Sequence, residues 1–228
     1  ITHAKKLIKL AKVSGADAVK LQTYSPSNMT LKSKKKFFKI DKKKWGSNYL
    51  WELYERAKTP LSWHKPLFDY SKKIGILCFS TPFDEENVDQ LERLKCPIYK
   101  IASFENNHFS LLKKIAKTKK PIIMSTGIAT LKEIEKSVKF LKKNRSGKIH
   151  LLYCVSNYPS KIEDFNLKNI SILKKKFKKI VGFSDHSVDD FVSFIAINEG
   201  AEIIEKHIAL DKNSIDAEFS KKTNELKS

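Results

Sequence analysis

The chain has 228 residues, 41% of them hydrophobic, which is enough for one domain with a substantial core. Its formal net charge is +20, but nearly all the cations are lysines spread along the whole chain, with only three arginines. This distribution favours solvated helix faces over a nucleic-acid surface, where arginine is the more usual ligand of phosphate and bases. No run reaches the ~18 apolar residues of a membrane span, and three cysteines without a pair motif predict reduced thiols in a cytoplasmic protein.

Apolar runs that end in polar residues recur along the chain and alternate with helical patterns. The runs predict seven strands, within residues 16–24, 75–83, 97–105, 121–127, 148–157, 179–187 and 201–208. Helical periodicity is clear in residues 84–95 and 131–143, and Thr130 with Glu133 forms a capping box before the second of these. Gly15 and Gly200 stand where a helix ends and a strand follows. The alternation indicates a parallel sheet covered by helices.

Seven strand–helix units predict an α/β fold of the (β/α)8, or TIM-barrel, type. Because a helical pattern opens the chain at residues 2–14, we expect the first strand to precede residue 1, and residues 1–228 to be one trimmed catalytic barrel domain. The alternative is an open doubly wound sheet, which needs a glycine-rich turn after its first strand; "KLQTYSPSN" contains no glycine. Residues 25–60 interrupt the spacing and predict a lid, a partner surface or a simple packing flap.

Two histidines follow neighbouring predicted strands, His186 in "GFSDHS" and His207 in "IIEKH". In a barrel, the carboxyl ends of the strands meet at one mouth, where active sites lie. Two imidazoles so placed predict a shared divalent ion, manganese, magnesium or iron rather than structural zinc, because water and carboxylate oxygens would complete its shell. The alternative for each histidine is a hydrogen-bonded core position.

The same strand ends carry lysines and hydroxyl side chains. Together they predict a binding site for a small polyanion such as a phosphorylated carboxylate; the residues are Lys20, Thr81, Lys100, Ser103, Ser125 and Ser184. The alternative is a Schiff-base enzyme with Lys100 or Lys206 as its nucleophile.

The motifs "GADAVKLQTY", "GILCFSTPFD", "YKIASFE", "PIIMSTG", "GFSDHS" and "IEKH", in this order and spacing, resemble the sialic acid synthase family. Enzymes of that family condense phosphoenolpyruvate with an amino-sugar aldehyde. Within the family, "LYERAKTPLSWH", "ILCFSTPF" and "IASFE" resemble the pseudaminic acid branch. The neuraminic and legionaminic branches usually carry a glycine where Phe104 stands.

The resemblance implies condensation of phosphoenolpyruvate with a 2,4-diacetamido-trideoxy hexose to give pseudaminic acid and phosphate. N-acetylneuraminate or legionaminate synthesis, or an inactive truncated barrel, are the alternatives. The resemblance also implies a homodimer for the full-length protein and a C-terminal antifreeze-like domain beyond residue 228.

The resemblance further implies a role for each strand-end residue. Phosphoenolpyruvate would contact Lys20, Thr81, Lys100, Ser103, Ser125, Ser156 and Ser184, with Asn157 as the alternative to Ser156. Gln22 and Asp216 would face the sugar, and Glu105 and Glu205 would be catalytic. His186 and His207 would bind the divalent metal, Mn²⁺ in the first place, with Mg²⁺ or Co²⁺ as alternatives.

Overall fold

The computed structural model describes residues 1–210, 214–215 and 217–221. Two compact units make up the chain, Ile1–Cys96 and Pro97–Ser228. Each unit is built from parallel strands and helices, which confirms the predicted α/β class; the strand expected upstream of residue 1 stays a prediction. In the part of the chain that the structure describes, no helix combines the length and the apolar character needed to cross a bilayer.

The first unit pairs two parallel strands. Its elements are α1 (Thr2–Val13), β1 (Ala18–Thr23), α2 (Pro26–Met29), α3 (Lys42–Trp45), α4 (Leu50–Ala57), α5 (Leu61–Lys73), β2 (Leu77–Pro82) and α6 (Glu85–Arg93), with a 3-10 turn at Lys36–Phe38. The register runs from Ala18 opposite Leu77 to Thr23 opposite Pro82. It therefore places the carboxyl ends of β1 and β2 side by side.

The second unit pairs its strands in chain order. Its elements are β3 (Tyr99–Ile101), α7 (Phe109–Lys117), β4 (Ile122–Ser125), α8 (Leu131–Lys143), β5 (Ile149–Cys154), α9 (Lys168–Phe177), β6 (Val181–Asp185), α10 (Phe191–Asn198) and β7 (Ile204–Lys206), with 3-10 turns at Ser103–Glu105 and Ile162–Asp164. Each strand is parallel to the next, as short crossover units require. Their carboxyl ends therefore share one edge of the sheet.

The local signals of the sequence match these elements. A strand lies inside each of the seven predicted runs, and α8 spans the predicted residues 131–143. The capping box before α8 is formed: Glu133 N donates to Thr130 Oγ1 at 3.3 Å, and Thr130 N donates to Glu133 Oε2 at 2.8 Å. Gly15 and Gly200 have φ of +86° and +96°, the left-handed conformation that favours glycine at a helix end.

The core of the second unit lies between its sheet and its helices. Every residue of β3, β4 and β6 is buried, which is typical of parallel strands covered on both faces. Leu111 and Ile115 of α7 and Leu141 of α8 are fully buried as well. This packing leaves the strand ends as the place where polar side chains gather.

The 25–60 segment contacts the end of β1 through aromatic rings. The Tyr24 ring is 5.9 Å from that of Tyr54 and 5.5 Å from that of Phe83, both edge to face. Arg56 Nη1 donates to the Gly46 carbonyl at 2.6 Å and to Ser47 Oγ at 2.8 Å. These contacts favour the packing flap among the three predicted roles.

Candidate active site

A buried ion pair joins the ends of β3 and β7. Lys100 Nζ donates to Glu205 Oε1 at 2.9 Å, and the Ser184 hydroxyl at the end of β6 donates to the same oxygen at 2.8 Å. The side chains of Lys100 and Glu205 are only 4% and 14% exposed. Two donors on one carboxylate oxygen suit an ionised carboxylate beside an ammonium group, and bonds of this type are strong and well oriented. Three predicted residues are thus brought together by three different strands.

The two predicted metal-binding histidines also lie together. The ring centres of His186 and His207 are 5.5 Å apart. His186 Nδ1 is 2.8 Å from the Val155 carbonyl oxygen, which can only accept, so Nδ1 donates this hydrogen bond; in the neutral ring, Nε2 is then the nitrogen with the lone pair. That tautomer is the one a metal-binding imidazole adopts when its other nitrogen is held by a carbonyl.

The donor set fits a divalent ion with few protein ligands. Among the described residues, no group of three or more His, Cys, Asp or Glu side chains could hold a metal. A His186–His207 site would therefore leave several positions of the ion to water and substrate oxygens. Such oxygen-rich coordination is typical of Mn²⁺ or Mg²⁺ and not of structural zinc.

Aromatic rings enclose the two histidines, and sequence reasoning missed them. The Tyr158 ring lies 4.3 Å from His186, and the Phe219 ring lies 5.1 Å from His207. Tyr158 and Phe219 also contact each other at 5.3 Å. The enclosure limits the orientations of both imidazoles; His186 is buried, and His207 is partly exposed. The sequence feature that could have indicated Tyr158 is its position two residues after Ser156, in "SNYP". No sequence feature singled out Phe219.

A second cluster of small residues lies at the ends of β3, β4 and β5. Gly127 N donates to Ser103 Oγ at 3.2 Å, and Ser103 Oγ is 3.3 Å from Cys154 Sγ. A Cβ on Gly127 would lie 2.4 Å from Ser156 Oγ and 2.7 Å from Cys154 Sγ, so only glycine allows this approach. Sequence reasoning had not selected Gly127, because its need appears only when β5 is in place.

Ser156 and Asn157 differ in what their side chains do. The Ser156 hydroxyl oxygen is buried and has no hydrogen-bond partner among the described residues. Asn157 Nδ2 instead donates to Asp164 Oδ2 at 3.3 Å, away from this cluster. A buried polar atom without a partner is costly unless a ligand satisfies it. Ser156 is therefore the better candidate for contact with an anionic substrate.

Glu105 is a carboxyl group of a different kind from Glu205. It closes the 3-10 turn after β3, and its Oε2 is buried without a hydrogen-bond partner in the described part of the chain. Burial raises the pKa of Glu105 from 4.5 to about 7, against smaller lowering effects of its own backbone amide and of Lys100. One glutamate is thus held in an ion pair, while the other can take up or release a proton near neutral pH.

The remaining predicted residues lie in the first unit, at β4, or outside the described chain. Gln22 of β1 is in register with Thr81 of β2, and Lys20 precedes Gln22 by two residues, on the same face of the strand. Ser125 is buried at the end of β4. Asp216 lies outside the described residues.

The alternative with a Schiff-base lysine is weakened by the geometry. Lys100 is paired with Glu205, and Lys206 Nζ donates to Asp185 Oδ2 at 2.7 Å. Both ammonium groups are thus engaged by carboxylates, whereas a Schiff-base nucleophile must be free to attack the substrate carbonyl. Among the other histidines, His64 is buried in a side-chain network: its Nε2 is 2.8 Å from Thr23 Oγ1, which in turn contacts Ser80 Oγ at 2.7 Å.

Comparison with known proteins supports the motif-based resemblance. The NeuB family model matches residues 7–228. The pseudaminic acid synthase of Campylobacter jejuni is 49% identical over 218 residues, which cover 96% of this chain and 63% of that protein. The pseudaminic acid synthase of Helicobacter pylori is 45% identical over 227 residues, covering 99% of this chain and 67% of that protein. This chain thus spans a little under two thirds of the length of the Campylobacter protein.

The fold is similar to a solved structure as well. The crystal structure of the N-acetylneuraminic acid (sialic acid) synthetase of Leptospira borgpetersenii, in complex with citrate, matches 99% of this chain and 75% of its own chain. The TM-score is 0.89 at 34% identity. The resemblance predicted from the motifs is therefore confirmed.

Proposed function

This chain belongs to the NeuB family, and from that membership we propose that it condenses phosphoenolpyruvate with a 2,4-diacetamido-trideoxy hexose, giving pseudaminic acid and phosphate. The observation that carries the chemistry is the buried Lys100–Glu205 pair, 2.9 Å long, on the same sheet edge as His186 and His207. The choice of sugar is supported by the identities of 49% and 45% to two pseudaminic acid synthases.

The second unit supplies groups that suit a phosphorylated carboxylate. The Lys100 ammonium is a buried cation, and Ser103, Gly127 and Ser156 form the small-residue cluster, in which the Ser156 hydroxyl has no hydrogen-bond partner among the described residues. Their role would be to hold phosphoenolpyruvate in one orientation, which lowers the entropic part of the barrier. Lys20, Gln22 and Thr81 of the first unit stay proposed substrate contacts on the strength of the resemblance.

The two glutamates suit different steps of the condensation. Carbon 3 of phosphoenolpyruvate attacks the aldehyde carbon, carbon 2 becomes an oxocarbenium ion, water adds there, and C–O cleavage releases phosphate. The ionised Glu205 would stabilise the positive charge at carbon 2. Glu105 would take the proton of the attacking water, since a carboxyl group with a pKa of about 7 can act as a base near neutral pH.

A divalent ion bound by His186 and His207 would polarise the carbonyl of the sugar aldehyde. We propose Mn²⁺, with Mg²⁺ or Co²⁺ as alternatives, because the two imidazoles leave the other positions to oxygen ligands. The chain's own part is to fix the ring of His186 through the Val155 carbonyl and to pack Tyr158 and Phe219 against the two imidazoles.

We also propose the (β/α)8 barrel as the fold of this chain, supported by the TM-score of 0.89 with the Leptospira enzyme. We further propose a cytoplasmic location, supported by three buried free cysteines, and a homodimer, supported by the resemblance alone.

Competing sugars test the proposed function. The chain is incubated with phosphoenolpyruvate, Mn²⁺ and either the 2,4-diacetamido-trideoxy hexose or N-acetylmannosamine, and released phosphate is measured. We expect kcat/KM to be about tenfold or more higher for the diacetamido sugar, the scale of discrimination that one extra contact provides. Faster turnover of N-acetylmannosamine would instead indicate an N-acetylneuraminate synthase, and no turnover of either sugar would refute the proposal.

Two lysine variants control that assay. Lys100→Met removes the buried cation and should abolish phosphate release. Lys174→Met removes one partner of a surface ion pair with Glu202, at 2.7 Å and about half exposed, and should leave release unchanged.

A further inference from the structure

A second ion pair lies directly behind the histidine pair. Asp185 and Lys206 are register partners in β6 and β7, and Lys206 Nζ is 2.7 Å from Asp185 Oδ2. The Asp185 side chain is completely buried, and that of Lys206 is 13% exposed. Asp185 immediately precedes His186, and Lys206 immediately precedes His207. The ion pair therefore joins the two strands one residue before each proposed metal ligand.

The carboxylate of Asp185 is fully engaged by neighbouring groups. Its Oδ1 accepts from Ser187 N at 2.8 Å, and its Oδ2 accepts from Ser193 Oγ at 2.6 Å as well as from Lys206. Lys206 Nζ also donates to the Ser187 carbonyl at 2.9 Å. The network thus ties the ends of β6 and β7 to the following turn and to the first turns of α10.

The ion pair and the proposed metal site lie on opposite faces of the strand ends. Ser184 Oγ contacts both Glu205 Oε1 at 2.8 Å and His186 Nε2 at 3.4 Å, so these three side chains share the site face. Asp185 and Lys206 alternate with them along the strands and project to the other side. The pair can therefore act on the histidines only through the backbone that it holds.

We propose that the Asp185–Lys206 ion pair is a positioning device that holds His186 and His207 at the separation one divalent ion requires. Buried ion pairs contribute little net stability against apolar residues of similar size, because burying both charges is costly. Their well-attested use is to select one arrangement of the groups around them. Here the selected arrangement is the relative placement of two chain segments that each carry one imidazole. The inference rests on the proposed metal site of the second unit.

Metal binding without substrate tests the positioning role. The double variant Asp185→Asn/Lys206→Met removes both charges, so neither is left buried without its partner. Each chain is titrated with MnCl₂ alone, and free Mn²⁺ is measured from its electron paramagnetic resonance signal. We expect the double variant to bind Mn²⁺ about 10- to 100-fold more weakly than the wild type, the usual effect of losing groups that orient metal ligands.

The matched control variant removes a different ion pair, which lies near the start of β7. Lys174 and Glu202 are also 2.7 Å apart, and they join α9 to the segment just before β7, at the opposite end of the strand. Lys174→Met/Glu202→Gln should keep the wild-type Mn²⁺ affinity. A loss in both double variants would show a general effect of loosening β7 and would overturn the proposal.

A milder variant covers the case in which the double variant does not fold. Ser193→Ala removes one of the three donors to the Asp185 carboxylate and should weaken Mn²⁺ binding in the same direction, by less. Cooperative melting shows which of these variants is folded. A folded variant that binds Mn²⁺ with wild-type affinity overturns the proposal. The proposal is also overturned if the wild-type chain binds no Mn²⁺. The inference stands if the wild type binds Mn²⁺ and the double variant binds it much more weakly. Failure of both sugars as substrates would refute the proposed function but not this inference.

Discussion

Glu105→Gln should change how the stability of the protein depends on pH. The carboxyl group has a pKa of about 7 in the folded chain, against an ordinary value of 4.5, and burial is the main cause. At about 1.4 kcal/mol for each pH unit between the two values, folding disfavours the charged form by about 3 to 4 kcal/mol. The group is mostly buried, so solvent screening reduces this figure little.

The direction of the effect follows from proton linkage. Because the folded pKa of Glu105 is raised, the folded state holds the proton more tightly than the unfolded state between pH 4.5 and about 7. The stabilisation of the folded state by the neutral Glu105 carboxyl group is therefore fully present below pH 4.5, and it is lost as the pH rises through about 7. Glutamine stays neutral at every pH and does not lose it.

Urea unfolding at pH 5 and pH 9 measures the difference. We expect the free energy of unfolding of Glu105→Gln to rise relative to the wild type by about 2 to 3 kcal/mol between these two pH values. All other titrating groups are common to both chains and cancel in the comparison. A difference that is the same at both pH values would refute the raised pKa, and with it the role of Glu105 as the base.

Glu133→Gln is the matched control for that experiment. The pKa of Glu133 is lowered, mainly by its hydrogen bonds with the backbone and side chain of Thr130. Its contribution to stability is therefore present above the ordinary pKa and is lost only as the pH falls through the lower folded value. The difference between Glu133→Gln and the wild type should stay nearly constant from pH 5 to pH 9.

Three further variants test separate parts of the structure. Gly127→Ala would place a Cβ 2.4 Å from Ser156 Oγ, so we expect a higher KM for phosphoenolpyruvate with unchanged Mn²⁺ affinity; an unchanged KM would exclude this cluster from the substrate site. Thr130→Ala removes the N-cap of α8 and should cost about 1 kcal/mol in urea unfolding, a cost near zero being the contrary result. His186→Ala should abolish Mn²⁺ binding in the titration and also lower the melting temperature, because the Val155 carbonyl loses the shorter of its two side-chain hydrogen bonds. Retention of Mn²⁺ binding would remove His186 from the metal site.

Elements that depend on near neighbours along the chain could be predicted from the sequence. Helix α8 begins after the Thr130 capping box and spans the predicted residues, since capping and helical periodicity involve residues three or four apart. The strands could be predicted for the same reason, because a run such as "PIIMSTG" has its apolar character in consecutive residues. The histidines after β6 and β7 stood out because a polar group ends each apolar run.

The partners of those residues were decided only by the tertiary structure. Lys100 and Glu205 are 105 residues apart, and their ion pair depends on the ends of β3 and β7. Glycine is needed at position 127 because Cys154, at the end of β5, and Ser156, two residues later, pack against it. Glu105 was predicted to be catalytic, but its raised pKa comes from burial, which no local pattern encodes. The register of β6 and β7 is set by packing between segments distant along the chain. It places Asp185 beside Lys206 as an ion pair and brings the next residues, His186 and His207, close together.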